Sequence, residues 1–190
     1  MNLEHLNPFN LFLIGYRCTG KSSVGRSLSE KLGRQFIDTD SLLVIEQQMS
    51  INEMVGAHGW EGFRQMEHVI LKNVCTSDGQ VVATGGGVVL NEDNVMLMQK
   101  SGRIIWLKAT PETIKTRMLQ DKGTQAFRPA LTLDGSISEI EETLSAREHL
   151  YKSATDLFVD TDDLTIRAIT DIIIERLKTL DVHLLKQRCS

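Results

Sequence analysis

The stretch GYRCTGKSS, Gly15 to Ser23, follows an apolar run and leads directly into a helical pattern in which Val24, Leu28 and Leu32 recur every four residues. It matches the spacing G-x-x-x-x-G-K-[ST] in full. In such a loop, successive backbone amides and the N-terminus of the helix surround phosphate oxygens. The stretch therefore predicts a Mg-nucleotide site, in preference to a purely structural glycine turn, at the first strand-to-helix connection of an α/β fold.

The residues of this stretch divide into a few roles. Lys21 is placed to reach the terminal phosphates, and the Ser22 hydroxyl is placed to ligate Mg²⁺. The residues that we assign to ATP binding within the stretch are Gly15, Cys18, Thr19, Gly20, Lys21, Ser22 and Ser23. The motif leaves open whether the phosphoryl group passes to water, to a nucleotide or to a small metabolite.

Further apolar runs alternate with helical patterns along the chain, which is typical of an α/β fold with a mostly parallel sheet. Gly33 is placed to end the first helix, and Thr110 and Pro111 are placed to begin a later one. A last helix is predicted over Leu164–Leu180. Strands are predicted at Leu11–Gly15, Gln35–Asp38, Gln80–Thr84, Arg103–Leu107 and Asp156–Asp160.

The chain of 190 residues is long enough for one well-buried domain and too short for two. We therefore expect a single domain over residues 1–190. The stretch from Lys122 to Ile137 lacks periodicity and is longer than most connections within a domain, which predicts a lid at about 122–137. We assign no function to the tail, residues 181–190.

Charge and cysteine content argue against several classes of protein. The formal net charge of −4, with dispersed Lys and Arg residues, provides no basic field for nucleic acid. No segment approaches the roughly 18–20 apolar residues of a membrane helix, and MNLEHLNPFN does not resemble a signal peptide. Cys18, Cys75 and Cys189 are widely spaced, which argues against a disulfide framework or a zinc site. We expect a cytoplasmic monomer without nucleic-acid or membrane partners.

Two carboxylates stand at the end of the second predicted strand. In FIDTD, Asp38 and Asp40 flank Thr39 and would share one face of the strand end, at the edge where open α/β sheets bind ligands. One carboxylate could lie near Mg²⁺ or its waters while the other accepts a proton or a hydrogen bond from an attacking hydroxyl. The alternative is that one of them only caps a helix starting near Ser41.

Three arginines occur in short motifs further along the chain. In FRQME, Arg64 and Glu67 are three residues apart, so the carboxylate can orient the guanidinium from the same helix face. The alternative for this pair alone is a solvated surface salt bridge. Arg147, in AREHLY, is unremarkable by itself, and Arg128, in FRPAL, lies in the predicted lid beside Pro129.

The stretch VVATGGGVVL ends a strand pattern with Gly85, Gly86 and Gly87. Glycine weakens a strand, so three in a row need a physical reason. Either the chain makes a tight turn there, or its backbone lies directly against a ligand.

Taken together, GYRCTGKSS, FIDTD, FRQME, VVATGGGVVL, FRPAL and AREHLY resemble the shikimate kinases in order and spacing, from Leu11 to Asp160. The resemblance implies the three-layer P-loop kinase fold, with helices on both faces of a five-stranded parallel sheet in the order 2-3-1-4-5. It also implies transfer of the γ-phosphoryl group of ATP to the 3-hydroxyl of shikimate, in the chorismate pathway, with Mg²⁺ as cofactor.

The resemblance further implies a role for each matching residue. Shikimate binding is implied for Asp40, Arg64, Glu67, Gly85, Gly86, Gly87 and Arg147. Catalytic roles are implied for Lys21, Asp40 and Arg128, where Arg128 also binds ATP by closing over the phosphates from the lid. Ser22 and water-linked Asp38 would hold the metal. We expect a methyl group at Gly86 to impair shikimate binding more than ATP binding.

The chain departs from the family pattern at two positions that carry no named chemical group, and KSATD after AREHLY matches the family pattern only loosely. Cys18 replaces a further glycine of the phosphate loop, and RPAL replaces RPLL in the lid. Two alternative functions are a kinase of another small acceptor, such as gluconate, and a non-catalytic nucleotide-binding regulator. Neither gives a reason for DTD, FRxxE, the three glycines and the late arginine to occur together.

Overall fold

Five short parallel strands form the centre of the molecule. A computed structural model describes residues 9–120 and 137–188, and in it the strands pair in the order β2-β3-β1-β4-β5. Their bounds are β1 Asn10–Ile14, β2 Gln35–Asp38, β3 Gln80–Ala83, β4 Gly102–Lys108 and β5 Leu157–Asp160. All adjacent pairs are parallel. The predicted fold class and strand order are thus confirmed, and each strand end lies within one residue of its predicted position.

Helices connect and cover these strands. Within the described residues they are α1 Lys21–Leu32, α2 Thr39–Gln47, α3 Ile51–Val74, α4 Glu92–Ser101, α5 Pro111–Gln120, α6 Ile137–Ala154 and α7 Ile166–Arg188. A short 3₁₀ helix, Val88–Leu90, follows the three glycines. None of these helices is both long and apolar enough to cross a lipid bilayer.

Strand β1 shows why the fold has three layers, because its side chains alternate between two hydrophobic clusters. Leu11 and Leu13 face a cluster that includes α1 and α7, whereas Phe12 and Ile14 face a second cluster that includes α3, α4 and α6. All five residues of β1 are buried. Each face of the sheet is therefore covered by its own set of helices.

Three predicted helix boundaries can be compared with the structure. Gly33 follows α1 in the left-handed conformation, with φ of 63°, as a C-cap glycine does. The Thr110 hydroxyl accepts a hydrogen bond from the Thr113 amide at 3.3 Å, so Thr110 caps α5 as predicted. The last helix begins two residues later than predicted and continues to Arg188. It therefore includes most of the tail that the sequence left unassigned.

The predicted lid, about 122–137, lies outside the described residues except for Ile137 at the start of α6. Arg128 and Cys189 also lie outside them. The roles of the lid and of Arg128 remain predictions, as does the single domain over residues 1–190.

Candidate active site

The phosphate loop connects β1 to α1, and two of its glycines are required by backbone geometry. Gly15 has φ of 138°, and a Cβ atom there would overlap the Leu107 carbonyl oxygen of β4. Gly20, at the N-cap of α1, has φ of 96°. Thr19 is buried, and its hydroxyl donates to the Tyr16 carbonyl at 2.9 Å. Close backbone packing and a hydrogen bond within the loop therefore hold it in a tight turn at the N-terminus of α1.

Lys21 is the first residue of α1, and its side chain folds back into this loop. Its ammonium nitrogen lies 2.9 Å from the Gly15 carbonyl oxygen and 2.7 Å from that of Tyr16. The side chain is buried. The structure thus fixes one positive charge inside the phosphate loop, where anionic phosphate groups would be bound.

Ser22 and Asp38 meet directly beside the phosphate loop. The Ser22 hydroxyl donates to Asp38 Oδ2 at 2.6 Å, while the Ser41 amide donates to Asp38 Oδ1 at 3.1 Å. Asp38 therefore caps α2, as the alternative reading proposed for one of the two aspartates, and it also contacts the serine that was assigned to the metal.

The donor set at this point fits Mg²⁺. A hydroxyl and a carboxylate supply hard oxygen ligands, and Mg²⁺ commonly takes only one or two protein ligands together with phosphate oxygens and water. Among the residues that the structure describes, no group of three or more His, Cys, Asp and Glu side chains could hold a metal ion. A metal held by Ser22 and Asp38 would therefore depend on oxygens of a bound nucleotide.

Asp40 does not lie on a strand, and the expectation that it shares a strand face with Asp38 is wrong. Strand β2 ends at Asp38 and α2 begins at Thr39, so Asp40 lies in the first turn of α2. Asp38 stays beside the phosphate loop, whereas the buried Asp40 lines a neighbouring cavity. The two carboxylates are separated because the chain turns from strand to helix without an intervening loop.

Arg64 and Glu67 form a pair on α3 that faces the same cavity. Arg64 Nη1 donates to Glu67 Oε2 at 2.7 Å, and Glu67 is only 3% exposed. The Arg64 guanidinium also lies 5.6 Å from the ring centre of Trp60 and 5.2 Å from that of Phe63. The alternative of a solvated surface pair is therefore wrong, because burial and two aromatic rings hold the arginine in place.

The turn after β3 explains the three consecutive glycines. None of them has a left-handed φ, so backbone conformation alone does not require glycine. A Cβ atom on Gly85 would overlap the Glu67 carboxylate, and one on Gly87 would overlap the Arg64 guanidinium. Glycine allows the ends of two α3 side chains to lie directly against the backbone of the turn.

Gly86, the middle residue, faces the phosphate loop instead. A Cβ atom there would lie 3.3 Å from the Arg17 amide nitrogen and 3.5 Å from the Gly15 carbonyl oxygen. We expected a methyl group at Gly86 to disturb the acceptor more than the nucleotide. The structure directs that methyl group towards the nucleotide side, so Gly87 is the better position for a selective test of the cavity.

Helix α6 approaches this turn from the opposite side. Arg147 Nη1 lies 3.4 Å from the Gly86 carbonyl oxygen, and the Tyr151 hydroxyl donates to the same oxygen at 2.6 Å. Tyr151 was not singled out from the sequence. The available signal was its spacing, because residues 147 and 151 are four apart and share one helix face.

A cavity lies between α3, α6 and the glycine turn. Three arginines and two carboxylates provide its charged groups, and Ile51, Trp60 and Phe63 form an apolar wall. Its full lining is Tyr16, Arg17, Asp40, Ile51, Trp60, Phe63, Arg64, Glu67, Gly85, Gly86, Gly87 and Arg147. Every residue implied to bind the acceptor thus lines one cavity next to the phosphate loop.

Comparison with known proteins identifies the family. The shikimate kinase family model matches residues 17–178 of the chain. The chain belongs to the shikimate kinase family. It is 36% identical to shikimate kinase 2 of Yersinia pestis over 166 residues, which cover 86% of this chain and 94% of the relative. It is 41% identical to shikimate kinase 2 of Serratia proteamaculans over 150 residues, which cover 79% and 85%.

The fold agrees with this assignment. The structure of a shikimate kinase from Acinetobacter baumannii in complex with shikimate superimposes with a TM-score of 0.86. The two sequences are 27% identical, and the match covers 93% of this chain and 96% of the other. The resemblance found in the short motifs therefore extends to the whole sheet and its helices.

Cys18, the departure from the family pattern in the phosphate loop, adopts the conformation that a glycine would adopt. Its φ is 61°, in the left-handed region. Its carbonyl oxygen lies 3.4 Å from Arg117 Nη1, and Arg117 Nη2 donates to the Thr161 carbonyl at 2.7 Å. Arg117, which the sequence analysis did not single out, thus links the phosphate loop to the end of β5.

Replacement of Cys18 by valine tests this backbone constraint. We expect Cys18→Val to lower the free energy of unfolding by about 1–3 kcal/mol, because a β-branched side chain tolerates a positive φ poorly. The measurement is urea denaturation without nucleotide. Cys75→Val is the matched control, since Cys75 is also half-buried but has φ of −70°. Equal losses in the two variants would contradict the constraint.

Proposed function

We propose that the chain transfers the γ-phosphoryl group of ATP to the 3-hydroxyl of shikimate, giving shikimate 3-phosphate and ADP. The observation that carries the proposal is the cavity in which Arg64 and Arg147 flank a bare glycine turn beside the phosphate loop. The product would serve the chorismate pathway of aromatic amino acid synthesis. We further propose that the enzyme acts as a cytoplasmic monomer on these two small molecules.

The acceptor carboxylate would be bound by Arg64 and Arg147 in the cavity. Guanidinium groups bind carboxylates through charge-assisted and often bidentate hydrogen bonds. Glu67 and the aromatic rings already hold Arg64, so little side-chain entropy would be lost when the ligand binds. The apolar wall would pack against the carbon face of the shikimate ring.

Asp40 is the group that we assign to the acceptor hydroxyl. It is buried, lines the cavity and lies in the first turn of α2, two residues after Asp38 in the sequence. A carboxylate there can accept a hydrogen bond from the attacking hydroxyl and orient it towards the γ-phosphate. Phosphoryl transfer needs little covalent help from the protein, so this positioning is the main contribution required.

The nucleotide phosphates would be bound by the loop amides and by Lys21. Arg128, from the segment that the structure does not describe, is proposed to add a second positive charge. Ser22 and Asp38 would hold Mg²⁺, which neutralises phosphate charge when it is bound. Lid closure over the phosphates would exclude water and so limit wasteful hydrolysis of ATP.

The direct test is release of ADP by the purified protein in the presence of ATP and Mg²⁺. We expect turnover with shikimate to exceed turnover with gluconate, quinate or nucleoside monophosphates, because the cavity combines paired arginines with an apolar wall. Turnover with gluconate alone would favour the kinase of another acceptor. Nucleotide binding without turnover on any acceptor would favour a regulator.

Arg64→Ala tests the binding of the acceptor carboxylate. We expect KM for shikimate to rise about 30-fold or more, which corresponds to roughly 2 kcal/mol, because a charge-assisted pair is lost. We expect KM for ATP to change less than threefold, since Arg64 lies in the cavity and not in the phosphate loop. Steady-state kinetics in which each substrate is varied in turn measure both effects.

A second variant displaces the Arg64 guanidinium without removing its charge. Gly87→Ala keeps the arginine but places a methyl group where its guanidinium lies, so we expect the same selective rise in KM for shikimate. Gly56→Ala, on the same helix as Arg64, is the control because a Cβ atom there meets nothing within 4 Å. For the Arg64→Ala variant, equal rises in KM for ATP and in KM for shikimate would show that Arg64 has only a structural role.

Asp38→Asn tests the proposed metal site while preserving the helix cap. Asparagine caps a helix as well as aspartate does, so α2 should remain intact. We expect the Mg²⁺ concentration for half-maximal activity to rise on the order of tenfold, because a negative oxygen ligand is lost. A titration of activity against Mg²⁺ at fixed ATP measures this. An unchanged Mg²⁺ requirement would remove Asp38 from the metal site.

A further inference from the structure

The geometry points to Tyr151 as a positioning residue of the acceptor cavity. Its hydroxyl donates a hydrogen bond to the Gly86 carbonyl oxygen, and this bond leaves donors of the Arg147 guanidinium available to an acceptor carboxylate. This inference rests on the proposed function, because it assigns Arg147 to the acceptor. It gives a role to a side chain that does not itself line the cavity.

The Tyr151 side chain is completely buried and rigidly held. Its ring stacks on that of Trp106 from β4, with ring centres 5.4 Å apart and an angle of 20° between the planes. Its exposed fraction is 0%. The hydroxyl donates to the Gly86 carbonyl at 2.6 Å and also has a hydrogen bond with the Arg147 side chain, so its orientation is strongly preferred. The phenol is therefore a fixed donor to the glycine turn.

The phenol also remains protonated at neutral pH. Burial raises the pKa of Tyr151 to about 12, with smaller opposing effects of the positive charge of Arg147 and of its hydrogen bond to the hydroxyl. The hydroxyl therefore donates its hydrogen to the Gly86 carbonyl throughout the neutral range. The Gly86 carbonyl oxygen has a short bond from Tyr151 and a longer contact, 3.4 Å, from Arg147.

These two distances carry the inference. Because Tyr151 makes the short hydrogen bond to the Gly86 carbonyl oxygen, Arg147 makes only a long one to it. The other donors of Arg147 can then point into the cavity. Without the phenol, a buried carbonyl oxygen would lose its main partner, which is unfavourable. Arg147 is within reach, and its guanidinium would be drawn onto Gly86 at the expense of the ligand carboxylate.

Tyr151→Phe tests this role because it removes the hydroxyl and keeps the stacked ring. We expect KM for shikimate to rise about tenfold, while kcat falls less than threefold and KM for ATP changes less than twofold. Ser153→Ala is the matched control, because it removes a hydroxyl that also donates to a backbone carbonyl of α6, but away from the cavity. Its constants should equal those of the wild type.

A double-mutant cycle with Arg147→Ala tests whether Tyr151 acts through that arginine. In the Arg147→Ala background, Tyr151→Phe should change KM for shikimate less than threefold. The inference would be overturned if Tyr151→Phe raised KM for shikimate equally in both backgrounds, or if Tyr151→Phe alone kept the wild-type KM. It would also be overturned if KM for ATP and KM for shikimate rose equally. The last result would show that the phenol only supports the fold.

A crystal structure of Tyr151→Phe gives a readout that does not depend on activity. We expect an Arg147 guanidinium nitrogen at about 3 Å from the Gly86 carbonyl oxygen, a normal hydrogen-bond distance. An unchanged position of Arg147 would overturn the inference even if the wild type is an active shikimate kinase. Absence of shikimate-dependent turnover in the wild type would instead overturn the proposed function. The assay of the wild type alone tests that function, independently of the Tyr151→Phe structure.

Discussion

The close approach of α3 and the phosphate loop to the backbone of Gly85–Gly87 is the constraint on which the site depends. Side chains of α3 occupy the space beside the first and third glycines, and the phosphate loop lies against the middle one. Because β3 pairs with β1, the turn after β3 lies next to the loop after β1. Thr84 secures this contact through its amide and hydroxyl, which both donate to the Leu13 carbonyl. The strand order thus places an acceptor cavity beside a nucleotide loop without any long connection.

The charged groups around this turn are held by the protein before any ligand binds. Lys21 is bonded to two carbonyls of the phosphate loop, and Arg64 is bonded to a buried carboxylate. A buried ion pair often contributes little net stability, because both charges lose their hydration. Its value here is orientation, since each immobilised side chain avoids about 0.5–1.5 kcal/mol of ordering cost on binding. Burial of Glu67 therefore costs desolvation energy but fixes the orientation of the Arg64 guanidinium.

The sequence predicted the strands and the phosphate loop because both depend on local patterns of hydrophobicity and glycine. The strand order came only from the family resemblance, since local patterns do not specify which strands are neighbours. Asp40 was misplaced because nothing in FIDTD shows that a helix begins at Thr39. The spacing of Arg64 and Glu67 is the same in an exposed and a buried pair, so tertiary packing had to decide between them. Tyr151 was missed because its spacing from Arg147 indicates only a shared helix face, whereas the partner of its hydroxyl is a backbone oxygen 65 residues away.

The signs of the charges in the cavity bear on which acceptors fit it. Paired arginines bind carboxylates and phosphates alike, so they do not by themselves select shikimate over a nucleoside monophosphate. The cavity also contains the buried carboxylates of Asp40 and Glu67, of which Glu67 is neutralised by its ion pair with Arg64. A carboxylate in a cavity wall repels a doubly charged phosphate more strongly than a singly charged carboxylate, and repulsive elements of this kind are a general source of specificity. If Asp40 orients the acceptor hydroxyl as proposed, the same carboxylate would also disfavour acceptors that already carry a phosphate.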